Sequence, residues 1–275
     1  TQSRSSAASD VYKRQPILCD SLSPLRETMP PNAILRFENL LRDKVFLKNA
    51  EPDVILQFGP LPTSKTLRKW LGELNASRVV LEPRGTNVDP LKGTSQSFDL
   101  SYSQAASINP PICETEWCDH WIKAEKQIEA KFDRYFSQEV NWFEGKLARI
   151  LSEHLPKQSY LQVANSMPIR DLEWFWKGSK KGRVLHGNRG ANGIDGTLGT
   201  ALGLAHKNPN ANYLLTGELA FLHDSNALLA SRVFSGNLTV ILVNNEGGGI
   251  FENLPVANLP TFETVSYTHL RAHET

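Results

Sequence analysis

The sequence predicts an α/β protein built from two open parallel sheets. Short apolar runs alternate with amphipathic segments along most of the chain, as expected when strands and helices follow each other. Glycine, proline, serine and asparagine separate these segments at the places where turns are needed. Residues 238–243 (LTVILV) form an apolar, β-branched run, which is typical of a parallel strand buried on both faces. Together these observations indicate parallel sheets joined by crossover helices.

Composition excludes several function classes. The 275 residues include 30 Lys and Arg against 29 Asp and Glu, so no charge excess indicates nucleic-acid binding. No apolar run approaches the roughly 18 residues that a membrane span needs. Cys19, Cys113 and Cys118 lack a metal-ligand spacing, so we interpret them as packing residues in a reduced, cytoplasmic protein.

The two ends of the chain differ from the rest. Residues 1–15 and 265–275 are polar and have no usable periodicity. We interpret both as non-native or disordered tails, resembling translated adaptor sequence. They have no apolar face to bury, so they should make few contacts with the remainder.

The first predicted domain covers residues 16–115 and a connecting helix covers residues 116–136. No G-x-G-x-x-G follows any strand of this domain, which argues against dinucleotide binding. Trp117, Trp121, Ile128 and Phe132 share one side of the connecting helix, which we expect to pack across the domains. The predicted strands of the first domain are residues 16–19, 54–58 and 78–82, with a further one between 86 and 111, and its predicted helices are residues 33–41 and 64–71.

The second predicted domain covers residues 137–264. It opens with an amphipathic helix at residues 142–155, and a helix of small residues begins at Ile194. A helix start signal at residues 224–226 and a stop signal at residues 235–237 predict a helix before the last strand. The predicted strands of this domain are residues 160–164, 183–186, 213–216 and 238–243.

A carboxylate and two amides follow neighbouring strands of the second domain. Glu218 stands just past one strand, and Asn244-Asn245 stand 27 positions later at the end of the next, followed by three glycines. Carboxylate and amide oxygens suit Mg²⁺, and glycines let the backbone approach a phosphate. From spacing alone, an ordinary sheet edge where Gly and Asn make turns remains the alternative.

Polar residues at two other strand ends could bind a ligand, because ligands in open α/β sheets lie beyond the carboxyl ends of the strands. Ser166 and Arg170 follow one strand, and Arg189 stands in a glycine-containing loop after another. A hydroxyl and two guanidinium groups could hold carboxylates. The alternative interpretation is that the serine caps a helix and the arginines lie on the surface without a ligand.

Three stretches carry a family resemblance: residues 166–171 (SMPIRD), 187–196 (GNRGANGIDG) and 244–251 (NNEGGGIF). They resemble the thiamine diphosphate (ThDP) enzymes, and among them the family of 2-succinyl-5-enolpyruvyl-6-hydroxy-3-cyclohexene-1-carboxylate (SEPHCHC) synthases of menaquinone and phylloquinone biosynthesis. The resemblance implies a middle domain followed by a diphosphate-binding domain. It implies a transferase that decarboxylates 2-oxoglutarate and adds the succinyl carbanion equivalent to isochorismate.

The resemblance also assigns roles to residues. It implies ThDP and Mg²⁺ (or Mn²⁺) as cofactors, a homodimer or homotetramer at full length, and no nucleic-acid or membrane partner. The metal ligands would be Glu218, Asn245 and the Gly247 carbonyl. The cofactor would contact Gly217, Leu219, Ala220, Asn245 and Ile194, and the substrates would contact Ser166, Arg170, Arg189, Phe251 and Lys65.

Two departures from the family bear on activity. The family usually has Asp where this chain has Glu218, whose side chain is one methylene longer. The family's N-terminal domain, which supplies the glutamate that activates the cofactor, is not represented, nor is the end of the diphosphate-binding domain. We therefore expect no catalytic residue in this chain and no activity from it alone. Another ThDP-dependent 2-oxoacid decarboxylase or acetohydroxyacid synthase-like enzyme, or a non-catalytic α/β binding module, remain as alternatives.

Overall fold

The computed structural model describes residues 15–82, 90–91, 95–101, 104, 115–190, 192–253 and 255–259. Apart from Gln15, both predicted tails lie outside these residues, as does Cys113. Cys19 and Cys118 are buried, as expected of packing residues. Among the described helices, none combines the length and apolar composition needed to cross a lipid bilayer.

The chain divides into two compact units. The first contains the described residues up to Trp142 together with Gly178–Lys180, and the second contains Phe143–Lys177 and the described residues from Lys181 onward. The helix predicted to connect the domains belongs to the first unit. The predicted domain limits stay a prediction.

The described residues of the first unit form two separate parallel sheets, whereas the sequence predicted one. A two-stranded sheet pairs β1 with β2, and a three-stranded sheet has the order β3-β4-β5. The strands are β1 (Ile17–Leu18), β2 (Ala33–Ile34), β3 (Val54–Phe58), β4 (Ser77–Leu81) and β5 (Gln96–Phe98), and the helices are α1 (Phe37–Leu40), α2 (Lys44–Leu47), α3 (Lys65–Glu73) and α4 (Thr115–Gln138). A 3₁₀ turn covers Pro24–Glu27.

Helix α4 contributes a buried tryptophan to the first unit's core. Trp121 is 2 % exposed and packs against Phe46, Trp70 and the buried side chains of β2 and α1. Trp117 and Ile128 pack on the same cluster, so the predicted apolar side of this helix is confirmed. Ser64 caps α3 by accepting a hydrogen bond from the Leu67 N–H, at the predicted start of that helix.

The prediction of one helix over residues 33–41 was wrong in its first half. Ala33 and Ile34 pair with β1, and α1 begins only at Phe37. The cause lies far away in sequence: the Glu125 carboxylate accepts hydrogen bonds from the backbone N–H groups of Leu35 and Arg36. Those bonds satisfy the N–H groups between β2 and α1.

The second unit contains one four-stranded parallel sheet with the order β7-β6-β8-β9. Leu198 and Ala201 of helix α7 pack on Leu214 of the central strand β8. The strands are β6 (Tyr160–Val163), β7 (Val184–Gly187), β8 (Asn212–Gly217) and β9 (Thr239–Val243), and the helices are α5 (Glu144–His154), α6 (Met167–Phe175), α7 (Thr197–Ala205) and α8 (Glu218–His223). Three 3₁₀ segments cover Ser225–Arg232, Gly249–Asn253 and Pro255–Asn258.

The helix predicted after residue 224 was also placed wrongly. Helix α8 starts directly at Glu218, and Ser225–Arg232 forms a 3₁₀ segment instead of an α-helix. Asp224 makes no side-chain cap bond to this segment, and its Oδ2 atom instead accepts a hydrogen bond from the Gly199 N–H, at 2.8 Å. Leu229 of the 3₁₀ segment is exposed and lacks the apolar contact that would stabilise a regular helix there.

The prediction that residues 238–243 are buried on both faces was wrong. Strand β9 lies at the edge of the described sheet, pairs only with β8, and exposes 46 % of Leu242. The apolar, β-branched run predicts correctly that these residues form a strand. Whether the strand is buried depends on which other elements cover it.

An ion pair connects Arg36, which follows β2, to α4 in the first unit. Arg36 is fully buried, its guanidinium forms an ion pair with Glu129 at 2.8 Å, and it lies 5.0 Å above the Phe132 ring. Glu125, on the same helix face, binds the Leu35 and Arg36 N–H groups. Burial raises the pKa of Glu125, an effect that these hydrogen bonds oppose.

Replacing Glu125 should therefore destabilise the first unit. In Glu125→Gln, one amide oxygen must serve two N–H groups while the new NH₂ faces a donor, which leaves a buried donor unsatisfied. The expected loss is about 1–3 kcal/mol of unfolding free energy, measured by urea unfolding. Glu116→Gln, at an exposed position of the same helix, is the control. Equal stability of the two variants would contradict this account.

Candidate functional site

The carboxyl ends of the four strands in the second unit meet at one edge of the sheet. β6 ends at Val163, β8 at Gly217 and β9 at Val243, and all run in the same direction. The chain adds β7 on one side of β6 and then returns to add β8 on the other. Such a reversal leaves a crevice outside the strand ends, where ligands of open α/β sheets bind.

A cavity of about 220 Å³ lies at this edge. Its walls come from the loops after β6, β7, β8 and β9 and from helices α5 and α6. The predicted site residues that line it are Ser166, Ile194, Gly217, Glu218, Leu219, Ala220 and Asn245. The strand geometry therefore brings together most of the residues expected to bind a metal ion or a cofactor.

Glu218 places a carboxylate at the wall of the cavity. It is the first residue of α8, directly after β8, and it is only 7 % exposed. In the described part of the chain, no hydrogen bond or ion pair engages its side chain. A buried carboxylate costs free energy unless a donor or a cation compensates it, so this position favours a cation.

Asn245 provides a second unsatisfied oxygen. Its Oδ1 atom is buried and has no hydrogen-bond partner among the described residues, whereas its Nδ2 atom donates to Glu144 Oε1 at 2.8 Å. Gly249 lies against this amide, where a Cβ atom would come within 2.7 Å of Nδ2. A buried amide oxygen without a partner, in a residue that lines the same cavity as Glu218, fits a hard cation such as Mg²⁺.

The backbone after Asn245 turns sharply. Glu246, Gly247 and Gly248 have φ values of 63°, 140° and 32°, a run that glycine adopts readily. Gly247 is buried, and Gly248 and Gly249 line the cavity. No group of three or more His, Cys, Asp or Glu that could hold a metal occurs within the described ranges. A cation here would need backbone, water or ligand oxygens in addition to Glu218 and Asn245.

Ser166 and Arg170 form a local pair at the start of α6. Ser166 lines the cavity with φ at 70°, and its backbone carbonyl accepts a hydrogen bond from the Arg170 guanidinium. Arg170 lies within the helix and is half-buried. The pairing holds the serine at the cavity mouth in a left-handed conformation that non-glycine residues seldom adopt.

Arg189 is tied to the same edge from the other side of β6. Its guanidinium donates to Asn165 Oδ1, and Asn165 Nδ2 donates to the Gly193 carbonyl at 2.9 Å. Asn165 lines the cavity, whereas Arg189 contacts it through Asn165.

Helix α7 begins at Thr197 after Gly196 (φ 72°), three residues later than expected, so Ile194 lies in the loop that lines the cavity.

The structure does not test two of the predicted substrate contacts. Lys65 is an exposed residue at the start of α3 in the first unit. Phe251 belongs to the 3₁₀ segment Gly249–Asn253, and its side chain lies outside the described part of the structure.

Two cavity residues with carboxyl groups were not among the predicted site residues. Glu144 is the first residue of α5 and Asp171 lies on α6, and both line the cavity. Asp171 is 6 % exposed, and burial, reinforced by the nearby Glu144 carboxylate and opposed by Arg170, raises its pKa to about 7. Asp171 closes the quoted SMPIRD stretch, so that motif already contained a signal for it. Glu144 had none.

The raised pKa of Asp171 predicts a pH-dependent stability. The folded state binds the Asp171 proton more tightly than the unfolded state, where the pKa is near 3.8. The protonated Asp171 side chain therefore makes its full contribution to the free energy of unfolding below pH 4. This contribution is lost as the pH rises towards 7. Asp171→Asn should gain stability relative to the parent by roughly 2–4 kcal/mol between pH 4 and pH 8, at about 1.4 kcal/mol per pKa unit.

The measurement is unfolding by urea across this pH range, without divalent cations. Asp119→Asn, an exposed position, is the matched control and should show no such trend. A parent and an Asp171→Asn variant with parallel pH profiles would refute the assignment.

Comparison with known proteins identifies the family. A family model described as "Middle domain of thiamine pyrophosphate" matches residues 15–163, more than half of the chain. The chain is 42 % identical over 251 residues to the 2-succinyl-5-enolpyruvyl-6-hydroxy-3-cyclohexene-1-carboxylate synthase of Synechococcus elongatus, covering 90 % of this chain and 43 % of that protein. It is 41 % identical over 264 residues to the protein of the same name from Microcystis aeruginosa, covering 94 % and 46 %.

These matches extend across both units but not across the whole of each relative. The chain spans less than half the length of the curated relatives it matches. The parallel sheets agree with the matched family. The chain belongs to the family of thiamine pyrophosphate enzymes that share this middle domain.

Proposed function

We propose that the chain is part of a ThDP- and Mg²⁺-dependent SEPHCHC synthase. This transferase would decarboxylate 2-oxoglutarate and add the remaining four-carbon unit to isochorismate, giving SEPHCHC and CO₂. Relatives at 40–42 % identity carry the name of this enzyme, which supports the proposal. A role in menaquinone or phylloquinone biosynthesis, with cytoplasmic localisation, goes with the same proposal.

The observation that carries the proposal is a carboxylate and an unsatisfied amide oxygen in residues that line one cavity. Glu218 is 7 % exposed, Asn245 Oδ1 is buried without a hydrogen-bond partner among the described residues, and both residues line the cavity. They would hold Mg²⁺ together with the Gly247 carbonyl and the cofactor's diphosphate, because Mg²⁺ in proteins usually combines one or two carboxylates with phosphates and water. Gly217, Leu219 and Ala220, at the junction of β8 and α8, would contact the diphosphate.

The cofactor, when bound, supplies the electron sink for decarboxylation and carbon–carbon bond formation. The chain's own residues would position it and the substrates. Ile194, on the wall of the cavity, would support the cofactor's conformation.

Both proposed substrates are anionic, so cationic groups near the strand ends are needed. Ser166, Arg170 and Arg189 stand at the edge of the sheet, with Phe251 and Lys65 as further proposed contacts.

The remaining length of the relatives matters for activity. They are more than twice as long as the matched segment, and we propose that the cofactor-activating glutamate comes from a part outside this chain. Turnover would then require the complete polypeptide, assembled as a homodimer or homotetramer.

The decisive experiment uses the complete polypeptide that carries this sequence. ThDP binding should require Mg²⁺, and CO₂ release from 2-oxoglutarate should be coupled to consumption of isochorismate. Turnover of pyruvate in place of 2-oxoglutarate would indicate another ThDP-dependent 2-oxoacid enzyme. Absence of ThDP binding at any Mg²⁺ or Mn²⁺ concentration would indicate a non-catalytic binding module.

Substitutions of Glu218 test the metal assignment. Glu218→Gln should weaken Mg²⁺ and ThDP binding together, because the ion links protein to diphosphate. Glu218→Asp should preserve or tighten both, since it restores the residue usual in the family and Gly217 allows a small backbone adjustment. The measurement is a ThDP titration at several Mg²⁺ concentrations. Binding of both by Glu218→Gln as tightly as by the parent would make Glu218 a structural residue.

Substitutions of Arg170 and Arg189 test the substrate assignment. Either change to Ala removes a charge-assisted contact to a carboxylate, at a cost of about 1.5–3 kcal/mol or roughly 10- to 150-fold in substrate affinity. ThDP affinity should barely change. Arg232→Ala, at an exposed arginine of the second unit, is the control. If Arg189→Ala abolished ThDP binding and spared 2-oxoglutarate, the assignment would fail.

A further inference from the structure

The side chain of Asn245 is held by a residue 101 positions earlier in the chain. Its Nδ2 atom donates to Glu144 Oε1 at 2.8 Å, and both residues line the cavity that contains Glu218. Nothing in the described part of the structure bonds the Oδ1 atom. The two ends of this amide therefore have different surroundings.

An asparagine amide is nearly symmetric in shape, so packing alone does not decide which end faces a ligand. An ionised carboxylate only accepts hydrogen bonds, and thus it accepts from the NH₂ group and would repel the oxygen. With Glu144 on one side, Nδ2 must point to the carboxylate and Oδ1 must point away from it. The bond thus sets the direction of the only Asn245 side-chain atom that could bind a cation.

The position of Glu144 is itself fixed by close packing. It follows Phe143 at the start of α5, and Gly145 lies so near α6 that a Cβ atom there would come within 2.2 Å of the Phe175 ring. Phe143 and Phe175 pack edge to face at 5.8 Å. On the other side, Gly249 leaves just enough room for the Asn245 amide. The geometry of the carboxylate and amide therefore depends on a rigid contact between α5 and α6.

We propose that Glu144 is a positioning residue that turns the Asn245 amide oxygen towards the divalent cation beside Glu218. It would not bind the ion itself. The inference rests on the proposed function, because it requires a cation at Glu218 and Asn245. Residues that orient metal ligands in this way typically affect metal affinity by about 10- to 100-fold when replaced.

The test compares two replacements of nearly equal volume in the complete polypeptide. Glu144→Met keeps the length of the side chain but cannot accept the hydrogen bond, and Glu144→Gln keeps an acceptor oxygen. ThDP is titrated at a series of Mg²⁺ concentrations and binding is followed by tryptophan fluorescence. Glu144→Met should raise the Mg²⁺ concentration for half-saturation about 10- to 100-fold, and Glu144→Gln by no more than about threefold.

A second variant distinguishes a role of Glu144 in orienting the Asn245 amide from a role in folding. In Asn245→Asp, either carboxylate oxygen can face the ion, so no orienting partner is needed. Glu144→Met should then cause no weakening when it is added to Asn245→Asp. A residue needed only for folding would weaken both backgrounds alike.

Glu153→Met is the matched control, since it removes a carboxylate from the same helix outside the cavity, where it pairs with Arg149 at 3.1 Å. It should leave the Mg²⁺ dependence unchanged, and thermal unfolding confirms that each variant is folded. If the parent binds ThDP with Mg²⁺ and Glu144→Met binds equally well, the inference is wrong while the proposed function stands. If the parent shows no Mg²⁺-dependent binding, the proposed function fails and this inference fails with it.

Discussion

Parallel pairing of β6, β8 and β9 brings together the strand-end residues on which the candidate site depends. Because the strands share one direction, their carboxyl ends reach the same edge of the sheet. The register places Val163 beside Leu215 and Gly217 beside Val243, so the residues that follow these strands emerge side by side. A slip of one residue would turn each strand's side chains to the opposite face and separate Glu218 from Asn245.

Buried polar groups place a second constraint on the site. The cavity walls contain the carboxyl groups of Glu144, Asp171 and Glu218 and the amide of Asn245, which few protein donors compensate. Such groups destabilise a fold unless a ligand, a proton or a cation completes their interactions. For Asp171 a proton can complete these interactions, because burial raises its pKa to about 7. Asn245 and Glu218 are better suited to a cation, which would satisfy both oxygens together.

The sequence predicted what local periodicity and strand-end chemistry determine. Strands β3, β6 and β8 and helix α4 follow from short apolar runs and an aromatic stripe, and the metal-binding stretch follows from Glu218, Asn245 and the glycines after them. Contacts between distant segments could not be predicted in this way. Ala33 joins a strand because Glu125 binds the backbone after it, and Glu144 reaches Asn245 across 101 residues. Burial of β9 failed as a prediction because exposure depends on neighbours that no local pattern records.

The edge position of β9 has a consequence for handling the protein. Residues Thr239–Val243 form a short, uncharged, β-branched strand, and in the part of the chain that the structure describes no strand pairs with its outer side. Its outward N–H and C=O groups offer a template to a strand of another molecule, and Leu242 adds apolar surface beside them. Aggregation through this edge is therefore a hazard when the 275 residues are expressed by themselves, and Leu242→Lys is a substitution that would suppress it.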